Sequence, residues 1–215
     1  MGKRIVVNAG VTETRLAVQD GTQLVELYVE RAGRRSIVGN IYKGVVTNVL
    51  PGMQAAFIDI GLDRTAFLHA SDIYRVEREQ TPENEPPEPP IASLVREGDQ
   101  VIAQVIKDPL GSKGARLSTN LSIPSRFLVL LPNSETIAVS RRIEDEEERE
   151  RLKGLLSTMR DHKGGHGYIV RTNAENISAF ALSADMSYLG KIWESIAEKS
   201  RTSKPGECIY EDLSL

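Results

Sequence analysis

Two phenylalanines in the first half of the sequence occupy positions that strand alternation assigns to a polar face. Phe57 falls on the same face of its predicted strand as Asp59, opposite Ile58, and Phe67 falls on the same face as His69. Aromatic rings exposed on a strand face stack against the bases of single-stranded nucleic acid. The alternative is that both rings are core residues and that a β-bulge shifts the alternation. The pattern suggests a nucleic-acid-binding face, and both interpretations stay open.

Two lysines, Lys107 and Lys113, flank a Pro-Leu-Gly turn in the same half of the sequence, and Arg116 follows them. Cations beside aromatic stacking platforms neutralise the phosphates of a bound strand. Lysines in such a turn are also commonly solvated, with no binding role. They therefore support a nucleic-acid site only in combination with the two rings.

A second group that suits a phosphate is Arg171-Thr172, at the end of a predicted strand. A guanidinium fork makes two parallel charge-assisted hydrogen bonds to a phosphate, and the adjacent hydroxyl supplies one further donor. Arg141 and Arg142 follow another predicted strand and could join the same site. An Arg-Thr pair at a strand end is also common as a structural feature, so the pair by itself is only a hint.

The composition is that of an ordinary globular protein, with 215 residues of which 40% are hydrophobic and 27% charged. Because the net charge is −3, any nucleic-acid site must be a local basic patch. A single cysteine, Cys208, excludes a disulfide framework, and no CxxC pair suggests zinc. No apolar run reaches the length of a membrane span, and the first residues lack a signal-peptide pattern. We therefore expect a cytoplasmic protein with no membrane partner.

Motifs of the common catalytic sites are missing from the sequence. It contains no glycine-rich phosphate loop, no nucleophile elbow and no acidic cluster of the hydrolytic type. We therefore predict neither a catalytic residue nor a metal ligand in this chain.

The pattern of strands and turns divides the chain into three parts. Residues 1–36 contain three predicted strands, at 4–8, 14–19 and 23–30, and are too few to bury a core of their own. Residues 37–121 contain five more, near 41–50, 53–60, 64–69, 100–107 and 114–119, which fits a small closed barrel of the OB type. Residues 77–90 interrupt this barrel with five of the ten prolines and suggest a surface loop.

Residues 122–215 mix strands with helices, so the predicted fold class is β-rich α+β. Strands are predicted at 127–131, 137–140, 168–171 and 178–182, and an amphipathic helix at 145–159. Ser183 is predicted to cap a last helix, and a strand-like segment follows at 208–215. The predicted core face of that helix comprises Met186, Leu189, Trp193 and Ile196.

Four long segments resemble the ribonuclease E/G family. They are NIYKGVV at 40–46, LPGMQAAFIDIG at 50–61, AFLHASDI at 66–73 and VIKDPLGSKGARL at 105–117. The residues of these segments are more similar to those of the ribonuclease G members than to those of the ribonuclease E members. The likeness covers nearly the whole chain, and full members are roughly twice as long, so the chain resembles their N-terminal portion.

The resemblance implies a magnesium-dependent endoribonuclease that cuts single-stranded RNA in ribosomal RNA maturation and RNA decay. It implies that residues 1–36 are the first strands of a ribonuclease H-like subdomain, into which an OB-type (S-one-like) RNA-binding barrel is inserted at 37–121. A mixed α/β subdomain that senses the 5′-monophosphate of the RNA would then occupy residues 122–215. The missing partners of the first three strands would follow residue 215.

The resemblance also implies roles for individual residues. The RNA-binding positions of the family match Phe57, Phe67, Lys107 and Lys113. The 5′-phosphate-binding positions match Arg171, Thr172, Arg141, Val129 and Ser125, and Ser125 stands where ribonuclease E carries glycine. The family's catalytic aspartates and zinc-linking cysteines match no residue here. The chain alone is therefore expected to bind RNA without cleaving it and to hold no magnesium of its own.

Three functions remain open at the level of sequence. The first is the RNA-recognition part of a ribonuclease G-type enzyme, which would bind 5′-monophosphorylated single-stranded RNA and form a homodimer or higher oligomer when full length. The second is a stand-alone RNA-binding regulator without nuclease activity. The third is a protein-binding scaffold, for which Phe57→Ala would leave RNA binding unchanged.

Overall fold

The computed structural model describes residues 2–75, 89–160 and 165–213. The three strands predicted in its first part are present, and they form an antiparallel meander in the order β1-β2-β3. They are β1 (Lys3–Ala9), β2 (Glu13–Asp20) and β3 (Gln23–Arg31). The hairpin between β2 and β3 turns at Gly21, whose φ of 59° is in the left-handed region that glycine adopts without strain.

This three-stranded sheet exposes apolar side chains on both of its faces. Val6 and Val7 are neighbours in β1 and therefore point to opposite faces, yet they are 46% and 57% exposed. Leu27 in β3 is 59% exposed. Among the residues that the structure describes, neither hydrophobic core includes a residue of β1–β3, so within them this sheet contributes no core of its own.

The next five strands close into a barrel of the OB type, which confirms the predicted fold class. Their order is β4-β5-β6-β8-β7, and a pairing of β7 with β4 closes the ring. The elements of the barrel are β4 (Ile41–Leu50), β5 (Ala55–Asp59), β6 (Ala66–His69), a short helix α1 (Ile91–Leu94), β7 (Gln100–Lys107) and β8 (Arg116–Ser118). β6 and β8 run parallel, whereas the other neighbours are antiparallel.

The barrel interior is filled by inward-facing side chains from each strand. Ile58, Leu68 and Leu117 are fully buried there, and Ile91 of α1 packs into the same core. Most of the predicted loop at 77–90 lies outside the described residues, and its last two residues belong to neither helix nor strand.

The third part of the chain is a four-stranded sheet packed with two long helices. The sheet order is β11-β12-β10-β9, with β11 parallel to β12. The elements are β9 (Ile123–Pro124), β10 (Leu128–Leu131), β11 (Ile137–Val139), α2 (Glu146–Met159), β12 (Gly167–Val170), α3 (Ala179–Thr202) and β13 (Cys208–Tyr210). Leu128 and Leu130 of the sheet share a core with Leu152 of α2 and Leu189 of α3.

The predicted strand at 178–182 and the predicted cap at Ser183 are both wrong. α3 begins at Ala179, and the hydroxyl of Ser178 accepts a hydrogen bond from the Ala181 N–H at 3.2 Å. The alternation of small and large residues there resembles a strand, but alanine and leucine favour helix, and Leu182 packs in the core with Leu189, two turns later. The predicted core face of this helix is confirmed, because Leu189 and Ile196 are buried and Met186 and Trp193 pack beside them.

The segment after α3 joins the third part to the barrel. Lys43 of β4 donates its backbone N–H to Glu207, accepts at its carbonyl from the Gly206 N–H, and donates from Nζ to the Ser200 carbonyl. β13 then pairs antiparallel with the first residues of β4. The two hydrophobic cores are therefore held together through β4.

Candidate nucleic-acid interface

Phe57 and Phe67 form an outward-facing pair on the outer face of the barrel. They are directly opposite each other on β5 and β6, with ring centroids 6.3 Å apart and ring planes at 69°. Both rings are half-buried, whereas Ile58 and Leu68 beside them are fully buried. The predicted facing of the two rings is confirmed, and the interpretation that a bulge turns them into the core is wrong.

His69 extends this pair along β6. Its ring centroid lies 6.4 Å from that of Phe67, at a tilt of 31°. The Nδ1 atom accepts a hydrogen bond from the Ser71 N–H at 3.2 Å, which fixes the ring beside Phe67. The sequence placed His69 on the correct face but did not single it out as a site residue.

Basic side chains continue the line of the two rings across the barrel. Phe67 is opposite Arg116 of β8, and Arg116 is opposite Lys107 of β7. We call Phe57, Phe67, Arg116 and Lys107 the transverse row, because they cross four adjacent strands on one outer face. Lys107 is exposed. This arrangement places positive charge next to stacking surfaces, as single-strand-binding barrels require.

Lys113 lies outside the transverse row, in the turn between β7 and β8. Its backbone pairs with Leu110 across the turn, and its side chain is exposed. Arg64 holds the turn against the start of β6 by donating to the Gly111 carbonyl. A Cβ at Gly114 would collide with the Thr65 carbonyl, so only glycine permits this close approach.

The second predicted site assembles where the strands of the four-stranded sheet end. β11 and β12 run parallel, so both leave the sheet on the same side, at Ser140 and Arg171. β9 ends and β10 begins on that side as well, because β10 is antiparallel to both of its neighbours. The structure thus brings the backbones of the predicted residues to one edge, namely Ser125, Val129, Arg141, Arg171 and Thr172.

Arg171 is held at this edge by its backbone and its side chain. Its N–H donates to the Phe127 carbonyl at 2.8 Å, and its Nη1 donates to the Ser125 carbonyl at 2.5 Å. The side chain is nevertheless exposed, as is that of Arg141, and Thr172 is half-buried beside it. One hydrogen bond uses one of five guanidinium N–H groups, so the fork remains able to bind an anion.

Asp185 of α3 organises the turn that carries Ser125. One carboxylate oxygen accepts from the Ser125 hydroxyl at 2.5 Å and from the N–H groups of Phe127 and Leu128 at 3.0 Å each. The Ser125 hydroxyl is therefore engaged with Asp185, whereas its carbonyl oxygen orients Arg171. Sequence reasoning missed Asp185, because nothing in the pattern of α3 links it to a turn about 60 residues earlier.

An ion pair on α2 fixes the loop that follows Thr172. Arg151 donates to Glu148 at 2.5 and 2.7 Å and to the Ile177 carbonyl at 3.1 Å, and Glu148 also accepts from the Asn176 N–H at 2.8 Å. The Arg151 guanidinium lowers the pKa of the Glu148 carboxyl below its usual 4.5, against an opposing effect of burial. This network connects α2 with the start of α3.

Metal-ligand clusters, cavities and long apolar helices were the remaining features of the described residues that could indicate a site. Within residues 2–75, 89–160 and 165–213, no cluster of three or more His, Cys, Asp or Glu side chains could hold a metal ion. A cavity of about 950 Å³ lies between the end of β3, residues 35–40 and residues 211–213, and its lining includes none of the predicted site residues. Among the described helices, none has the length and apolar character needed to cross a membrane.

Two family models match the chain in adjacent segments. Residues 35–119 match the S1 RNA binding domain, and residues 122–215 match the ribonuclease E/G family. The first segment contains the barrel with the transverse row. The second contains the sheet edge with Arg171.

Curated relatives match the chain from end to end. Ribonuclease G of Escherichia coli K12 is 46% identical over 222 residues, covering 100% of this chain and 44% of the relative. Ribonuclease G of Haemophilus influenzae is 45% identical, covering 98% of this chain and 43% of the relative. Ribonuclease E of Escherichia coli K12 is 40% identical, covering 99% and 20% respectively. The chain thus spans less than half the length of these relatives.

Proposed function

The chain belongs to the ribonuclease E/G family, and we propose that it is the RNA-recognition part of a ribonuclease G-type endoribonuclease. In this proposal the barrel binds single-stranded RNA, and the sheet edge with Arg171 senses a 5′-monophosphate. The intact enzyme acts in ribosomal RNA maturation and RNA decay in the cytoplasm, as a homodimer or higher oligomer.

The observation that carries this proposal is the transverse row. Two half-exposed phenylalanines on adjacent strands, followed by two cations on the next two strands, offer stacking surfaces and phosphate contacts on one face. In an OB-type barrel the second and third strands and the loop between the fourth and fifth strands form the oligonucleotide face. Phe57 and Phe67 lie on those two strands, and Lys113 lies in that loop.

Binding of the 5′-monophosphate is proposed for the free edge of the Arg171 guanidinium, with the Thr172 hydroxyl as a further donor. Arg141 adds positive charge from the end of β11, and Val129 forms the apolar floor beside the phosphate. Ser125 contributes mainly by positioning, because its carbonyl orients Arg171 and its hydroxyl is bound to Asp185. The pairing of β9–β12 brings the backbones of these five residues to one edge of the sheet, which supports a common phosphate site.

Hydrolysis is assigned to parts of the enzyme other than these residues. Magnesium is proposed for the parent enzyme, and its chemistry there would be activation of water for attack on the phosphodiester. The chain alone is proposed to bind RNA without cleaving it.

Residues 1–36 are proposed to be the first strands of a ribonuclease H-like subdomain. The support is the exposure of apolar side chains on both faces of the first sheet, since a stable sheet of this kind needs a packed layer on at least one face. Val6, Val7 and Leu27 would be covered by that layer.

The alternative is a stand-alone RNA-binding regulator, which would use the same barrel without any nuclease. The length and activity of the intact gene product distinguish the two functions. A gene product that is as long as the relatives and cleaves RNA with magnesium would support the enzyme. A gene product of 215 residues would support the regulator. A protein-binding scaffold predicts instead that Phe57→Ala leaves RNA affinity unchanged.

Fluorescence anisotropy with one short single-stranded RNA, carrying either a 5′-monophosphate or a 5′-hydroxyl, tests the proposed sensor. Two charge-assisted contacts predict a preference for the phosphorylated RNA of roughly five- to a hundredfold at fixed salt. Arg171→Ala should remove the preference, and Arg201→Ala, which removes an exposed arginine at the far end of α3, should keep it. Equal binding of both RNAs by the unaltered chain would contradict a sensor in this chain.

A further inference from the structure

Arg116 occupies the place between an aromatic ring and a lysine on the outer face of the barrel. It is the register partner of Phe67 on one side and of Lys107 on the other. Its side chain is 39% exposed. A strand of RNA whose base stacks on Phe67 and whose phosphate reaches Lys107 must therefore pass over Arg116.

Asp72 fixes the guanidinium of Arg116 at this place. One carboxylate oxygen accepts from Nε at 2.9 Å and from Nη2 at 2.8 Å. The backbone of Asp72 is fixed in turn, because its carbonyl accepts from the Ser118 hydroxyl and from the Thr119 N–H. The Asp72 side chain is 16% exposed and is therefore more buried than the Arg116 side chain that it holds.

The remaining edge of the guanidinium is suited to a phosphate. Arginine has five N–H donors in a rigid plane, and the contact with Asp72 uses two of them on one edge. Nη1 has no hydrogen-bond partner among residues 2–75, 89–160 and 165–213. A fixed guanidinium loses less conformational entropy on binding than a free side chain does, which favours its use as a binding group.

We infer that Arg116 is a further contact to the RNA backbone and that Asp72 is its positioning residue. This inference rests on the proposed RNA-binding function of the barrel and extends it to the centre of the transverse row. It assigns Asp72 a role in binding even though a carboxylate by itself repels RNA. A purely structural ion pair, in contrast, would leave RNA affinity unaffected by either side chain.

The dependence of affinity on salt measures how many phosphates the protein contacts. The probe is a 5′-hydroxyl oligouridine of about 12 nucleotides, which is long enough for one OB barrel and avoids the phosphate sensor. Loss of one contact to single-stranded RNA lowers the slope of log K against log salt by about 0.7. Arg116→Gln should lower the slope by that amount and weaken binding roughly three- to tenfold at low salt.

Two further variants separate charge from geometry. Arg116→Lys keeps the charge, so the slope should return to that of the unaltered chain even though the fork to Asp72 is lost. Arg201→Gln removes an exposed arginine on the last turn of α3 and should leave both slope and affinity unchanged. An unchanged slope in Arg116→Gln would overturn the inference.

A double-mutant cycle tests the role of Asp72. In the Arg116→Gln background, Asp72→Ala removes an unpaired negative charge and should strengthen RNA binding. When Arg116 is present, the same change frees the guanidinium and should weaken binding by roughly two- to threefold. An equal effect of Asp72→Ala in both backgrounds would show that Asp72 does not position Arg116 for RNA.

Failure of this inference can be distinguished from failure of the proposed function. If Phe57→Ala and Phe67→Ala abolish binding of the oligouridine while Arg116→Gln has no effect, the barrel binds RNA without Arg116. If the two phenylalanine variants bind as tightly as the unaltered chain, the proposed RNA-binding face itself is wrong.

Discussion

Single substitutions of Lys107 and Lys113 test two separate points of the proposed RNA path, because the two lysines lie on different structural elements. Lys107 ends β7 in the transverse row, and Lys113 lies in the turn that follows. Each of Lys107→Gln and Lys113→Gln should lower the salt slope of single-stranded RNA binding by about 0.7. Lys191→Gln, which changes an exposed lysine on α3, is the matched control. Unchanged slopes in both lysine variants would show that neither Lys107 nor Lys113 contacts a phosphate of the RNA.

The sequence predicted the orientation of a side chain where the pattern of neighbouring residues determines it, and it did not predict contacts between residues distant in sequence. Alternation along two short strands was enough to orient Phe57 and Phe67, because the side-chain period of a strand is fixed by its geometry. Asp185 had no such signal, since its partner Ser125 is distant in sequence and only the packing of α3 brings them together. Arg116 was visible as a nearby cation, but its pairing with Asp72 required the register between β6 and β8.

Helix α2 and the loop before α3 are coupled through Glu148, which makes their stability dependent on pH. The Arg151 guanidinium holds the pKa of the Glu148 carboxyl below 4.5, so the unfolded chain binds a proton more readily than the native one. The stabilisation is therefore complete above about pH 4.5 and is lost as pH falls through the lowered native pKa. Because Arg151 is partly exposed, we expect Glu148→Gln to cost about 1 kcal/mol at pH 7.

Urea unfolding at a series of pH values measures this contribution. The difference between the unaltered chain and Glu148→Gln should shrink as the pH is lowered below 4.5. Glu147→Gln, at the exposed neighbouring position of the same helix, is expected to change stability little at any pH. A difference that stays constant from neutral to acidic pH would show that ionisation of Glu148 is not its source.

The contact between the barrel and the segment after α3 depends on Gly61. Its φ of 78° is in the left-handed region, and a Cβ there would collide with the Gly206 carbonyl. Gly61→Ala should therefore lower the free energy of unfolding by roughly 1–3 kcal/mol and loosen the docking of residues 203–207 on β4. Gly52→Ala, where no heavy atom lies within 4 Å of the added Cβ, is the control in thermal melts. Equal melting temperatures for both variants would contradict this role.

Strands and helices whose apolar residues repeat with a regular spacing could be predicted from the sequence. The wrong prediction of a strand at 178–182 has a physical cause. The five barrel strands and α2 show sustained alternation or helical spacing, and the structure confirms them. The segment 178–182 is only five residues long, and a strand and the first turn of a helix are not distinguished by so short a run. Its helical state is decided by the cap at Ser178 and by Leu182 packing in the core with later turns of α3.

For the molecule as a whole, the first sheet is a part that the other described residues leave uncovered. Apolar residues such as Ile5 and Leu27 are 64% and 59% exposed, and the two cores lie elsewhere. We expect deletion of residues 2–35 to reduce the binding of an apolar dye to the chain, while the thermal transition and RNA affinity stay unchanged. A large drop in the melting temperature after this deletion would show that the sheet supports the barrel.

The most direct test of the central claim is the affinity of the Phe57→Ala, Phe67→Ala double variant for short single-stranded RNA at fixed salt. Stacking contributes about 1–3 kcal/mol per base, so the double variant should bind at least roughly tenfold more weakly than the unaltered chain. Phe180→Ala removes a ring that is 84% exposed on α3 and should bind a 5′-hydroxyl RNA normally. Undiminished binding by the double variant would contradict the claim that this barrel face recognises RNA.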